Sequence, residues 1–184
     1  MKMQLEHGRP KDETDRQARE IRVYDLLEQL GIDFWRVDHD AARTMEDCAQ
    51  ADRLLGEDTA ICKNLFLRNS KGSQYYLLML PGEKKFRGKD VAHQIGSTRL
   101  SFADEGKMTE YLDILPGSVS VMGLMNDHDN QVELLIDEDV LKLPFVGCHP
   151  CMSTTSMKLS TKDLLEKFLP AVHHAPRTVV LADE

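Results

Sequence analysis

A single α+β domain built on a mixed sheet is the fold class this sequence predicts, and three observations carry the prediction. The chain has 184 residues, enough for one hydrophobic core and too few for two ordinary domains. Its 41% hydrophobic and 29% charged residues match a soluble globular protein. Strand-like and helix-like runs alternate irregularly, with hairpin-linked strand pairs among them and no repeat, low-complexity stretch or linker.

The elements follow in order. Residues 1–14 are mostly polar and are expected to form a flexible N-terminal arm, leaving 15–184 as the folded domain. From Asp15 to Leu30 the apolar residues Ile21, Val23, Leu26, Leu27 and Leu30 recur with a mostly helical period, and Gly31 is a natural stop. Asp33 to Val37 reads as a short strand. Thr44 with Asp47 resembles a capping box opening a helix to about Leu55, which Gly56 ends. Ile61 to Arg68 and Gln74 to Leu80 are strand-type runs around a polar turn at residues 69–73, a hairpin signal. After the Pro81-Gly82 turn come a short helix from Lys89 to Ile95 and a strand from Arg99 to Phe102. A helix from Asp104 to Leu112 ends before Pro116-Gly117. Val119 to Leu124 and Val132 to Ile136 read as a connected strand pair. Ser153 to Leu159 alternates as a strand, Ser160 with Asp163 caps a helix through Phe168, and Thr178 to Leu181 is a last strand.

Charge and cysteine usage narrow the function classes. The net charge is −8, yet between Cys62 and Lys89 seven basic residues stand against the single acid Glu83. An acidic body with one basic segment suits contact with a limited piece of nucleic acid, although a solvated lysine-rich hairpin has the same charges. The start of the chain has no apolar signal core, and the longest apolar runs are too short to span a bilayer, so a cytoplasmic location and no membrane partner are expected. Cys48, Cys62, Cys148 and Cys151 read as free thiols. Cys148 and Cys151 form a C-x-x-C pair, but a zinc site needs more ligands, and only His173 and His174 lie near in sequence. No metal and no cofactor are expected.

Three segments interrupt the apolar β-pattern with small or polar residues: Cys62-Lys63-Asn64, the stretch Pro116 to Leu124, and Gly147-Cys148-His149-Pro150. Glycine lets backbone N–H groups approach a ligand, lysine supplies a point charge for phosphate, and Asn and His exchange hydrogen bonds. There is no G-x-S-x-G elbow, H-E-x-x-H, Walker loop or G-x-G-x-x-G. Taken singly, each segment reads as readily as an exposed lysine, a turn glycine or a surface histidine.

Taken together they resemble something specific. The stretches CKNLFLRN (62–69), YYLLMLPGEKKF (75–86), TRLSFADE (98–105), LPGSVSVMGLMNDHDNQVELLIDEDV (115–140) and GCHPCMSTTSMKLSTKDLLEKFL (147–169) resemble, in order and spacing, the YbaK/prolyl-tRNA-synthetase-associated editing domains. Within that superfamily the chain looks most like the free-standing prolyl-tRNA editing proteins, which deacylate alanyl-tRNA(Pro). The resemblance implies a mixed, barrel-like sheet surrounded by helices.

It also implies roles. Lys63 matches the family lysine that contacts phosphate near the 3′-terminal adenosine, and Asn64 the neighbour that holds the ester or the water. Gly117, Ser118, Val119 and Val121 match a loop shaping the aminoacyl pocket, with Met122 and Gly123 continuing it. Gly147 and His149 match a segment binding the scissile end. The loop's usual proline is Val121 here, followed by Met122, and the His39-Asp40 step replaces a common His-Pro. Arg68, Lys84, Lys85 and Arg99 are candidates for the acceptor stem of tRNA(Pro), and prolyl-tRNA synthetase is a further candidate partner. The implied chemistry is hydrolysis assisted by the substrate's own 2′-hydroxyl, with backbone N–H groups near Gly117 and Gly147 as oxyanion donors. The same chemistry on a seryl or cysteinyl ester, a non-catalytic tRNA-binding module, and a thiol or zinc protein are the other readings.

Overall fold

Continuous apolar runs such as residues 75–80 need burial on both faces, and the computed structural model, which describes residues 2–40 and 45–183, meets that need with stacked sheets. In chain order the strands are β1 (Leu5–His7), β2 (Phe34–Asp38), β3 (Thr59–Ala60), β4 (Cys62–Arg68), β5 (Tyr75–Pro81), β6 (Ser101–Phe102), β7 (Val132–Asp137), β8 (Phe145–Cys148), β9 (Thr155–Ser160) and β10 (Pro176–Val179). The longer helices are α1 (Ala18–Gln29), α2 (Met45–Leu55), α3 (Gly88–Ile95) and α4 (Glu105–Leu112), and a helix over 161–171 has a π segment at Leu164–Phe168. One sheet has the order β1-β2-β9-β8-β3 and the other β10-β7-β5-β4-β6. Both mix parallel and antiparallel pairs. The fold is the expected single α+β domain, with two five-stranded sheets and no closed barrel among the described residues.

The pleat of β5 shows how the layers form. Tyr75, Leu77 and Met79 face the main core, shared with Phe34, Val146, Met157 and Leu159 of the other sheet. Tyr76, Leu78 and Leu80 face a second core with Val91, Ala92 and Ile95 of α3. On the outer side of the first sheet, α2 buries Ala51 and Leu55 against Val37. No helix among the described residues is long and apolar enough to cross a membrane.

Several expectations are corrected. Residues 5–9 of the expected flexible arm have partners: β1 pairs antiparallel with β2, Gly8 N donates to Phe34 O at 2.8 Å, and Arg9 Nη1 donates to Asp25 at 2.9 Å and Glu28 at 3.0 Å. Val119 to Leu124 is not a strand; Val121–Asn126 is a 3-10 helix, and β7 pairs instead with β5 in parallel. Ser120 starts that turn by accepting from Met122 N at 3.1 Å, and Val121, Met122 and Leu124 are all buried. A short apolar run buried all round has no period that separates strand from helix. Strands β3 and β8 had no clear signal because each is short. The expected Thr44–Asp47 cap lies outside the described residues.

Candidate active site

The chain leaves the first sheet at β3 and enters the second at β4, and beside that crossing lies a small cleft. Cys62 and Asn64 reach it from β4, Gly147, Cys148 and His149 from the end of β8, Ser156 from β9, and Asp52 from α2. Its volume is about 60 Å³, on the order of two water molecules at ~30 Å³ each.

His149 has a defined tautomer. A carbonyl only accepts, so the 2.8 Å contact of Nδ1 with Thr155 O puts the ring proton on Nδ1 and leaves the Nε2 lone pair free. Burial pushes the imidazole pKa below its ordinary value, helped by nearby His39 and opposed by the Thr155 bond and Asp52. The ring is therefore a neutral acceptor at neutral pH. His39 is held likewise: Nδ1 donates to Asp40 O at 2.8 Å, and Nε2 accepts from Ser156 Oγ at 2.9 Å. Asp52 stands near both rings, its carboxyl pKa raised by burial and pulled back by His149 and His39.

Asn64 brings an unmet need. Its Oδ1 is shielded from solvent and has no hydrogen-bond partner. A buried acceptor left unpaired costs about 1–3 kcal/mol, so its place in a cleft marks a group waiting for a donor. The cysteines offer little: burial raises the thiol pKa of Cys62 and Cys151 to about 12 and that of Cys148 still further, so all three stay protonated and are poor nucleophiles.

The structure brings Asn64, Gly147 and His149 together and separates them from other expected residues. Lys63 alternates with Cys62 and Asn64 on β4, so its side chain stands on the opposite face, in line with Leu65 and Leu67 of the second core. Gly117 is exposed in a turn with φ of +86°, with open space where a Cβ would sit. Ser118, Val119, Val121, Met122 and Gly123 do not line the cleft: Val121 and Met122 are fully buried in the main core, and a Cβ on Gly123 would lie 2.5 Å from Ile114 Cδ1. That segment acts indirectly, through Ser120, whose Oγ donates to His149 O at 2.5 Å.

Of the four expected RNA contacts, Lys84 is a correction. It is buried, with Nζ 2.7 Å from both Asp137 and Asp139 and donating to Leu181 O at 2.8 Å. A strand of apolar neighbours and a buried carboxylate consume this charge, and no polyanion can reach it. Arg68 is half-buried, while Lys85 and Arg99 are exposed. Sequence reasoning missed Asp52 and Ser156 and noted His39 only for its neighbour; a lone acid on an amphipathic helix and a serine in a strand give no signal before the fold brings them together.

This arrangement, an α+β frame with a small polar cleft beside a strand crossing, belongs to a known class. Residues 39–167 match the model of the aminoacyl-tRNA editing domain, and the chain belongs to that family. It is thus an aminoacyl-tRNA deacylase, a hydrolase. The prolyl-tRNA editing protein ProX of Acetoanaerobium sticklandii is 36% identical over 145 residues, covering 79% of this chain and 87% of the relative. The prolyl-tRNA synthetase associated domain-containing protein 1 of Mus musculus is 33% identical over 118 residues, 62% of this chain and 69% of its own. A solved structure provisionally described as a trans-editing enzyme for prolyl tRNA synthetase superposes with a TM-score of 0.67 at 22% identity, over 91% of this chain and 99% of that one, a likeness of fold.

Proposed function

We propose that this protein acts in trans to hydrolyse a mischarged aminoacyl ester on tRNA(Pro), alanine being the preferred amino acid, and that the cleft between Asn64 and His149 holds the scissile end. The observation that carries the reading is the unpartnered Oδ1 of Asn64 in the same small cleft as the free Nε2 of His149. Two acceptors face a space that fits a water and a methyl-sized side chain.

Hydrolysis adds water to the ester carbonyl, passes through a tetrahedral oxyanion and expels the ribose hydroxyl. Asn64 Oδ1 accepts a hydrogen bond from the attacking water or the amino group, and backbone N–H groups beside Gly147 serve the oxyanion; one such donor is worth about 3 kcal/mol. The Nε2 lone pair of His149 orients the 2′-hydroxyl, which assists the water. Lys63, at the outer face of β4, anchors a phosphate of the 3′ end rather than touching the ester. A small cleft of about 60 Å³ supports alanine over the bulkier proline, while serine or cysteine differ by one small group that such a pocket separates poorly. Prolyl-tRNA synthetase is the source of the mischarged substrate in this reading, which places the protein in the cytoplasm with translation.

Release of labelled amino acid from Ala-, Ser-, Cys- and Pro-tRNA(Pro) by wild type and Asn64→Ala tests the reading. Selective loss of alanine that disappears in the variant supports it. Preference for serine or cysteine moves the substrate, and no release from any ester leaves a non-catalytic tRNA-binding module.

A further inference from the structure

A second concavity is much roomier than the cleft. A groove of about 590 Å³ opens between the start of α3 and β6, on the face of the second sheet that Lys63 shares. Phe86 and Phe102 form its aromatic wall, with ring centroids 5.8 Å apart in an edge-to-face pair. Phe102 is 64% exposed, a large apolar surface for a strand residue. Arg87, Lys89 and Arg99 rim the groove against the single acid Asp90, and no ion pair holds any of the three among the described residues. Exposed ring faces among unpaired cations are what an unpaired nucleotide requires: a base stacks on the ring, and the phosphates meet the charges.

The groove and the cleft lie on opposite faces of the second sheet, and the edge of β4 is where those faces meet. β4 pairs with β6 only at Leu67 and Arg68, leaving its edge from Cys62 to Leu65 without a strand partner on that side among the described residues. Phe102 stands opposite Leu67, four residues along β4 from Lys63, about 13 Å at the rise of a strand. At a stacked rise of ~3.4 Å per nucleotide that distance spans at most about four nucleotides. A chain that ends in the cleft and rounds this free edge past Lys63 therefore reaches the groove with its inner unpaired nucleotides.

We propose that this groove binds an unpaired nucleotide of the substrate RNA's single-stranded 3′ end, with its base on Phe102 and its phosphates on Arg99, Arg87 and Lys89. The inference rests on the proposed function for the identity of the RNA and adds a second subsite to it.

The test is binding, read apart from catalysis. Full-length protein is titrated into an uncharged acceptor-stem hairpin with 2-aminopurine at successive unpaired 3′ positions. The expected result is an emission change at an inner position, retained by Phe102→Tyr and lost in Phe102→Ala together with at least about a fivefold rise in Kd. Arg99→Glu should flatten the slope of log K against log salt by about 1. Unchanged affinity and emission in Phe102→Ala, or a blunt hairpin bound as tightly as the tailed one, overturns the proposal. So does polyglutamate competing for the groove with no dependence on Phe102, which would mark a docking site for an acidic protein. Release of alanine by the wild type with unaltered RNA binding in the groove variants would retire the groove and leave the function standing. Stacking without release would do the reverse.

Discussion

His149 donates its Nδ1 hydrogen to the carbonyl oxygen of Thr155 at 2.8 Å, and that one bond sets the chemistry available in the cleft. It fixes the tautomer, and its own position is secured from the N-terminal region. Thr155 pairs with Asp38 across β2 and β9, its Oγ1 donates to Asp38 at 3.0 Å, and Arg16 bonds both oxygens of Asp38. Arg16 in turn bonds the buried Glu20, which accepts from Tyr24 at 2.6 Å. Burial of such a charged chain is tolerated because each member has a partner.

The state of His149 predicts a pH profile. Its depressed pKa keeps the ring neutral into mildly acidic solution, so deacylation should fall only below the ordinary histidine range as Nε2 takes up a proton. The Asp52 carboxylate favours the protonated ring, so Asp52→Asn should move that acid limb to still lower pH. Plots of kcat/KM against pH for the two proteins check this, and a limb that stays in place would uncouple Asp52 from His149.

Asn64→Ala should separate activity from stability. Removing a buried acceptor that lacks a partner relieves its cost of about 1–3 kcal/mol, so the variant should be no less stable than the wild type. Loss of a group that positions the ester or water should lower kcat/KM at least about tenfold. Denaturant titration and single-turnover deacylation, run on one preparation, read the two quantities.

Lys84→Ala should do the opposite of a surface cation. Asp137 is fully buried, and without Lys84 its charge is stranded, at a cost of roughly 3 kcal/mol. Burial opposes the Lys84 charge, but the hydrogen bonds that Nζ donates to Asp137 and Asp139 outweigh it and raise the lysine pKa, so Lys84 is charged throughout the neutral range. A large drop in Tm with an unaltered salt slope for RNA binding is the expected outcome; a flattened slope would return Lys84 to the RNA surface.

A second buried pair gives stability its own pH dependence. His174 Nδ1 lies 2.7 Å from Val172 O and Nε2 2.9 Å from Asp127, two acceptors that a doubly protonated ring satisfies together. Burial opposes that charge, but the Asp127 bond outweighs it and the folded pKa is raised. This stabilisation is complete below the unfolded value near 6.5 and is lost as pH rises through the folded pKa. Asp127, held low by His174 and by the Val132 and Gln131 N–H groups against burial, contributes above about 3.8 and loses its share as pH falls through its lowered pKa. Unfolding free energy measured against pH should therefore decline on the alkaline side in wild type, and His174→Gln should remove that decline.

Much of the architecture was readable from local pattern. The hairpin of β4 and β5, the α1 and α4 helices and the cap at Ser160 follow from period and capping chemistry, which act over a few residues. Reading 119–124 as a strand failed because β-type apolar residues served as well in a buried 3-10 turn whose start is set by Ser120. Of the site, Asn64, Gly147 and His149 were legible as motif residues, whereas Asp52 and Ser156 carry no mark until α2 and β9 meet over β8.

By itself the sequence determined the fold class, most of the elements and, through motifs in a fixed order, the family. Only the tertiary structure decided which faces those residues present. It put Asn64 in the cleft and Lys63 on the other side of the same strand, buried Lys84 and Met122, and turned Phe102 outward. The reason is physical: propensity and capping are settled between neighbours in the chain, but the side a residue faces depends on strand register and layer packing, which are fixed by partners far away in sequence.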